Sequence, residues 1–222
     1  MRRTLALAAA LSLVPALSAA AALGQTGSRG LRSDQPTKVQ DLSLELVGQV
    51  TNSPPGVSPA TSIQYGYVAY LRGLSIFSGD TQNETTALFT FYTQTTTTRV
   101  IVNGPLKVIS REGTMTIYRD PSANGSFSNP DTFRDGSPVL VAGLRQQVIV
   151  NTVTGSFTAI NLDTIMSTNP FPSDNGQLQL GEPGRQFRTN LNGQLSSPAP
   201  SAYMAGYTLN APDPPKHNAA RP

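Results

Sequence analysis

Over most of this chain hydrophobic residues recur at every second position, the period of half-buried β-strands and not of helices. Leu42, Leu44 and Leu46 alternate with polar residues and predict a strand running to about Val50. Asn52-Ser53-Pro54-Pro55-Gly56 then breaks the chain into a loop. Residues 63–77 form a long apolar and aromatic run. Gly66 and Gly73 predict bulges or bends within it, because glycine weakens a strand interior. Next, Ala87, Phe89 and Phe91 alternate with Leu88, Thr90 and Tyr92, which puts the two phenylalanines on one face and Thr90 on the other. The threonines at 95–98 read as a turn or a strand edge. Val100, Ile101 and Val102 lead into a turn at Asn103-Gly104-Pro105.

Leu106 and Val108, then Met115 and Ile117, predict two strands on either side of Glu112-Gly113. A polar loop over 120–137 precedes a long strand over 138–150 with a kink at Gly143. Val153-Thr154-Gly155 is a tight hairpin turn into a strand over 157–166. After a loop at 169–176 come strands at 178–180 and 187–195, the second interrupted at Asn192-Gly193, and a closing strand at 203–209. Short turn signals between many strands make this an all-β chain, a single antiparallel β-barrel of about 8–10 strands, with a β-sandwich as the rival. Long strands bent at internal glycines favour the barrel, which leaves no sheet edge exposed.

The ends of the chain follow different rules. Met1-Arg2-Arg3, a Leu- and Ala-rich run over 5–17 and small residues over 18–22 have the order of a secretory signal peptide, expected to occupy 1–24 with cleavage between about Ala20 and Gly24. The apolar run is shorter than the ~20 residues of a membrane-spanning helix, and Pro15 interrupts it. The mature chain is therefore expected to be secreted or periplasmic, with no transmembrane segment. Residues 25–40 read as a flexible leader, 41–210 as the barrel domain and 211–222 as a disordered Pro-rich tail.

Composition narrows the chemistry. Cysteine is absent, which removes thiol catalysis and Cys-ligated zinc and leaves core packing to hold an exported chain together. The one histidine, His217, lies in the predicted tail, so a Ser-His-Asp triad has no imidazole in the folded region. The net charge of +3 falls to +1 once Arg2 and Arg3 leave with the signal, and the remaining arginines are scattered singly. Nucleic-acid binders cluster their basic residues on one face, so no nucleic-acid partner is expected. Carboxylates on or near strands, among them Glu45, Glu84, Glu112, Asp120 and Asp163, show no spacing that pairs two of them across a glycosidic bond. Arg111-Glu112 and Arg119-Asp120 read as strand ends carrying local ion pairs.

Two patterns point to ligands. The loop from Asp120 to Asp131 carries oxygen side chains at alternating positions, including Asp120, Ser122, Asn124 and Asp131, around Gly125. Calcium loops use this spacing. Here the last ligand is Asp instead of a bidentate Glu, Pro130 precedes it and strands flank the loop, so a turn whose side chains cap their own backbone fits better. Tyr65, Tyr67, Tyr70, Phe89, Phe91 and Tyr92 concentrate aromatic rings in one quarter of the chain and are the candidate lining of a barrel cavity, although core filling explains them too.

Phe89-Thr90-Phe91-Tyr92 followed by Val100-Ile101-Val102-Asn103-Gly104-Pro105-Leu106 resembles the paired strands of allene oxide cyclase-like and dirigent-like barrels: an aromatic strand, a β-branched strand and a Gly-Pro turn. The resemblance covers roughly twenty residues. It implies an eight-stranded barrel with a lipophilic or phenolic pocket, and no position here matches the family's catalytic residues. The functional expectation is an exported, non-catalytic β-barrel that binds a small apolar ligand or a partner surface and needs no cofactor. A cofactor-free cyclase- or isomerase-like barrel is the alternative, followed by a carbohydrate-binding or surface-associated structural module.

Overall fold

The computed structural model describes residues 35–39, 42–174 and 176–210. The predicted signal peptide, most of the leader and the C-terminal tail with His217 lie outside the described residues. Eleven strands succeed one another: β1 (Thr37–Val39), β2 (Leu44–Asn52), β3 (Thr61–Leu71), β4 (Phe89–Asn103), β5 (Leu106–Arg119), β6 (Ser137–Asn151), β7 (Ser156–Thr168), β8 (Phe171–Ser173), β9 (Gly176–Leu180), β10 (Gln186–Leu195) and β11 (Ala202–Asn210). Eight of them close a barrel in the order β2-β3-β4-β5-β6-β7-β10-β11, with β11 returning to pair with β2. Every neighbouring pair in the barrel is antiparallel. The fold is thus an all-β barrel and not a sandwich, and closure leaves the barrel no edge strand.

The period-two pattern sets the two faces. Leu44, Leu46, Val50, Phe89, Phe91, Met115, Ile117, Leu140, Leu144 and Phe187 alternate inward and are buried. Glu45, Gln94, Glu112, Thr114, Arg145 and Gln147 alternate outward and are exposed. The inward face is thus mostly apolar, whereas the outward face mixes these polar residues with exposed apolar ones such as Leu162, Tyr203 and Tyr207. Among the described residues no helix is long and apolar enough to cross a membrane.

Several expected breaks are continuous strand. Thr95 to Thr98 lie inside the 15-residue β4, where Thr93 and Thr95 point inward and are buried. Residues 106–119 form one strand through Glu112-Gly113, because β5 pairs with β4 and β6 on both sides along its length. Arg111 and Glu112 are therefore mid-strand and face opposite ways, not an ion pair at a strand end. Asn192-Gly193 likewise lies inside β10. Thr37–Val39, placed in the flexible leader by the sequence, is strand β1, which pairs in parallel with β9. The expected loop after Thr168 contains β8, which completes a three-stranded sheet with β9 and β1.

Gly48 and Gly66 sit opposite each other on β2 and β3. A Cβ on Gly66 would lie 2.1 Å from the Val47 carbonyl oxygen, and one on Gly48 would meet the Phe91 ring at 2.9 Å. Both positions must be bare for the strands to approach so closely, and Gly48 also leaves room for the tip of the Phe91 ring.

The two ends of the barrel differ. Where β3 ends and β4 begins, Leu42, Ile76, Phe171 and Leu180 join the barrel core, and Phe171 meets Phe89 edge-on at 5.3 Å. The small sheet and the segment 72–88 close this end. The opposite end, formed by the loop at 53–60, the β4–β5 and β6–β7 hairpins and the β10–β11 connection, is open.

Candidate ligand-binding cavity

An inward-facing layer of amides crosses the barrel partway along its axis. Gln64 on β3 and Gln146 on β6 come from strands three places apart in the barrel and exchange a reciprocal pair of hydrogen bonds. Gln64 Nε2 donates to Gln146 Oε1 at 3.1 Å, and Gln146 Nε2 donates to Gln64 Oε1 at 3.3 Å. Gln146 Nε2 also donates to Asn161 Oδ1 at 3.0 Å. These buried amides satisfy one another, which offsets the cost of removing them from water.

Arg111 belongs to the same layer. Its guanidinium donates to Asn52 Oδ1 at 3.1 Å and, at the longer distance of 3.5 Å, to Gln146 Oε1. Both partners are neutral. Burial pulls the guanidinium down to about 10, so it stays a cation at neutral pH. Its buried Nε has no partner.

Between this layer and the open end lies a cavity of about 440 Å³. Its walls are Val50, Ile109, Val148, Val150, Phe157 and Met204, with Val100, Leu195 and Ala202 beside them; Gln64 and Arg111 adjoin the amide layer, and Asn52, the last residue of β2, reaches Arg111 from the rim. Lys107 joins Ile109 and Arg111 on the inward side of β5, since every second residue of a strand shares a face. The walls carry two cations and no carboxylate.

On the other side of the amide layer the barrel is filled. Phe89, Phe91, Met115, Ile117, Leu140 and Phe187 pack there, each no more than 3% exposed. Asp163 of β7 lies among them, fully buried, with Oδ2 accepting from Thr189 Oγ1 at 2.8 Å and Oδ1 unpartnered. Burial pushes this carboxyl up to about 7, and the Thr189 bond opposes that rise. Asp163 does not line the cavity.

The six aromatic residues proposed as cavity lining stand elsewhere. Phe89 and Phe91 face inward but belong to the filled half. Tyr65 and Tyr92 face outward, yet they are buried because the loop over 120–136 folds across them. Phe133 of that loop lies 5.6 Å from the Tyr65 ring, and Arg134 sits over the Tyr92 ring at 5.0 Å. Tyr67 packs against Phe77 and Phe127 on the same outer wall, and Tyr70 is exposed. Alternation assigns the faces of Tyr65, Tyr67, Phe89, Phe91 and Tyr92, whereas a bulge between Val68 and Tyr70 turns Tyr70 outward against its parity. A period of two carries no information about which outward positions a distant loop will cover.

The loop that resembles a calcium site uses its oxygens on itself. Asp120 Oδ1 accepts from the Ser122 amide at 2.9 Å and Oδ2 from the Asn124 amide at 3.4 Å. Asn124 donates to Asp135, and Asp131 pairs with Arg134. Asn129 caps a short 3-10 turn, Pro130–Phe133, which places Phe133 on the barrel wall. Among the described residues no group of three or more His, Asp or Glu side chains is gathered to hold a metal.

Sequence reasoning missed Arg111, Lys107 and Gln64 as lining residues, and Gln146 as the amide that holds two of them. The available signal was the alternation Lys107-Ile109-Arg111, which places two cations on the inward face of a strand whose next inward residues beyond Gly113 are Met115 and Ile117. No family model, no curated protein and no solved structure matches this chain.

Proposed function

We propose that this chain is an exported binding protein whose barrel takes a small, mainly apolar molecule in through its open end. The observation that carries the reading is the cavity. An eight-stranded barrel is just narrow enough for side chains to fill it, and protein interiors are normally packed without voids. Here one half is filled, whereas the other leaves valine, isoleucine, phenylalanine and methionine facing about 440 Å³ of space. That volume falls in the range of roughly 300–1,000 Å³ typical of small-molecule sites. Apolar walls left to water forgo about 25 cal/mol for each Å² that a ligand would cover. The amide layer keeps the floor rigid, so the site is formed before anything enters it.

A neutral naphthylamine dye, N-phenyl-1-naphthylamine, tests the reading. Its fluorescence is expected to rise saturably with the wild-type protein and to fall when decanol displaces it. Ile109 sits on the cavity wall, half-buried, between Lys107 and Arg111. Ile109→Trp is expected to fill the space and abolish the signal while the urea midpoint stays near wild type. Absence of saturable binding, or unchanged binding in the folded Ile109→Trp variant, overturns the proposal.

A further inference from the structure

We infer that the cavity selects an amphipathic monoanion, which enters head first so that its carboxylate or similar oxyanion meets Arg111 while its apolar tail runs along Ile109, Val148, Val150 and Phe157 toward the mouth. This rests on the cavity being a ligand site and adds the chemical class of the ligand.

A cation held away from water is normally paired with an acid, because an unpaired buried charge is costly. Arg111 is bonded only to the amide oxygens of Asn52 and Gln146, and the walls around it carry no Asp or Glu. Lys107, further up the same strand face, adds positive potential at the mouth. With four residues separating the two at about 3.3 Å each, they stand about 13 Å apart, one near the entrance and one at the floor.

A guanidinium has five N–H donors in a planar fork that matches a carboxylate. Two are used by Asn52 and Gln146, which leaves three without a protein partner. The amide layer holds the fork in place: Gln146 is itself fixed by Gln64 and Asn161, so Arg111 is restrained before ligand arrives. Arg111 and Gln64 adjoin the amide layer, Ile109, Val148, Val150 and Phe157 form an apolar belt, and Ser53, Thr61, Thr152 and Lys107 ring the open end, which is the layout for a head group below and a chain above. A cationic amphiphile would bring like charge to both Lys107 and Arg111, and a neutral one would leave the guanidinium unmatched.

Three ten-carbon probes with the same tail isolate the head group: decanoate, decanol and decyltrimethylammonium, each displacing N-phenyl-1-naphthylamine at pH 7.5. Decanoate is expected to bind about tenfold to a hundredfold more tightly than decanol, the range for hydrogen bonds to a charged group, and the ammonium more weakly than either. In Arg111→Met, decanoate is expected to lose far more affinity than decanol, so that the wild-type gap between the two closes. Lys107→Met, at an exposed position, is expected to weaken decanoate by a smaller factor, and chiefly at low salt. Equal affinity of wild-type protein for decanoate and decanol, with the dye still displaced, overturns the anion inference and leaves the cavity reading standing. Failure of the dye and of all three probes to bind overturns the cavity reading itself. The wild-type comparison decides the question even where Arg111→Met does not fold.

Discussion

Asp163→Asn should make this barrel more stable at neutral and alkaline pH and have little effect at acid pH. The carboxyl is fully buried between Leu144 on β6 and Phe187 on β10, with one hydrogen bond from Thr189 and one bare oxygen. Burial raises it from the ordinary 3.8 to about 7 in the folded barrel. Below pH 3.8 both folded and unfolded chains hold the proton, and the group costs nothing extra. As pH rises from 3.8, the unfolded chain releases its proton while the folded barrel keeps it, so stability falls by about 1.4 kcal/mol per pH unit. The loss stops growing at about pH 7, where the folded carboxyl also ionises. A rise of about three units corresponds to ~4 kcal/mol, a large part of the 5–15 kcal/mol that typically holds a domain together. Asparagine keeps an acceptor for Thr189 and removes the ionisation. Urea unfolding of both proteins from pH 4 to pH 9 measures the difference, in which all other titrating groups cancel. The stability gap should open between pH 4 and pH 7 and then level off. A gap independent of pH, or one that widens toward acid, would refute the reasoning.

Two further outcomes concern the two faces and the middle of the barrel. Phe91→Ala should cost about 3–5 kcal/mol in urea unfolding, because the ring is fully buried in the packed half with its tip over Gly48. Thr90→Val, one residue away on the outer face, should cost about 1 kcal/mol, since Thr90 is itself buried and its hydroxyl donates to the Phe133 carbonyl. A Thr90→Val protein indistinguishable from wild type would mean that the loop over 120–136 does not seal that wall in solution. Gln146→Leu should destabilise by several kcal/mol, at about 1–3 for each buried polar group stranded, because Gln64, Asn161 and Arg111 all lose a partner. The exposed neighbour Gln147→Leu should stay within about 0.5 kcal/mol. Equal effects of the two glutamine variants would refute the amide layer.

The barrel was legible because alternation is a local signal. Leu44-Leu46, Phe89-Phe91 and Met115-Ile117 each state their inward face within three residues, and long strands punctuated by glycine point to closure. The strands that continue through Thr95 to Thr98, Glu112-Gly113 and Asn192-Gly193 do so across residues that lack apolar alternation (threonines, good strand formers in themselves) or are poor strand formers (Glu-Gly, Asn-Gly), and that are held by partners on both sides. The threonine run faces β3 and β5, and those ladders are long-range facts that no window of sequence contains. The reverse error has the same cause. Thr37–Val39 is too short and polar to announce a strand, and it becomes one only because β9 offers it an edge.

The site was hidden for a more specific reason. Aromatic residues were the natural candidates for a pocket wall, but large rings are what a barrel uses to remove a cavity, and Phe89 and Phe91 do so in the filled half. Space survives where inward positions carry smaller or more slender side chains: Val50, Ile109, Val148, Val150, Ala159 and Ala202 line the open half. The boundary between the halves is set by polar inward residues, Gln64, Gln146 and Asn161, which cannot be packed like leucine and must reach one another across the axis. Each is unremarkable in its own strand, where a glutamine at a buried position reads as a break in the pattern. Only register brings Gln146 beside Arg111 on one side and beside Asn161 on the other. The same register leaves the guanidinium facing the cavity with no carboxylate within its walls. In this barrel the inward amides Gln64, Gln146 and Asn161 mark where packing stops and the cavity begins, whereas the rings of Phe89 and Phe91 mark the filled half.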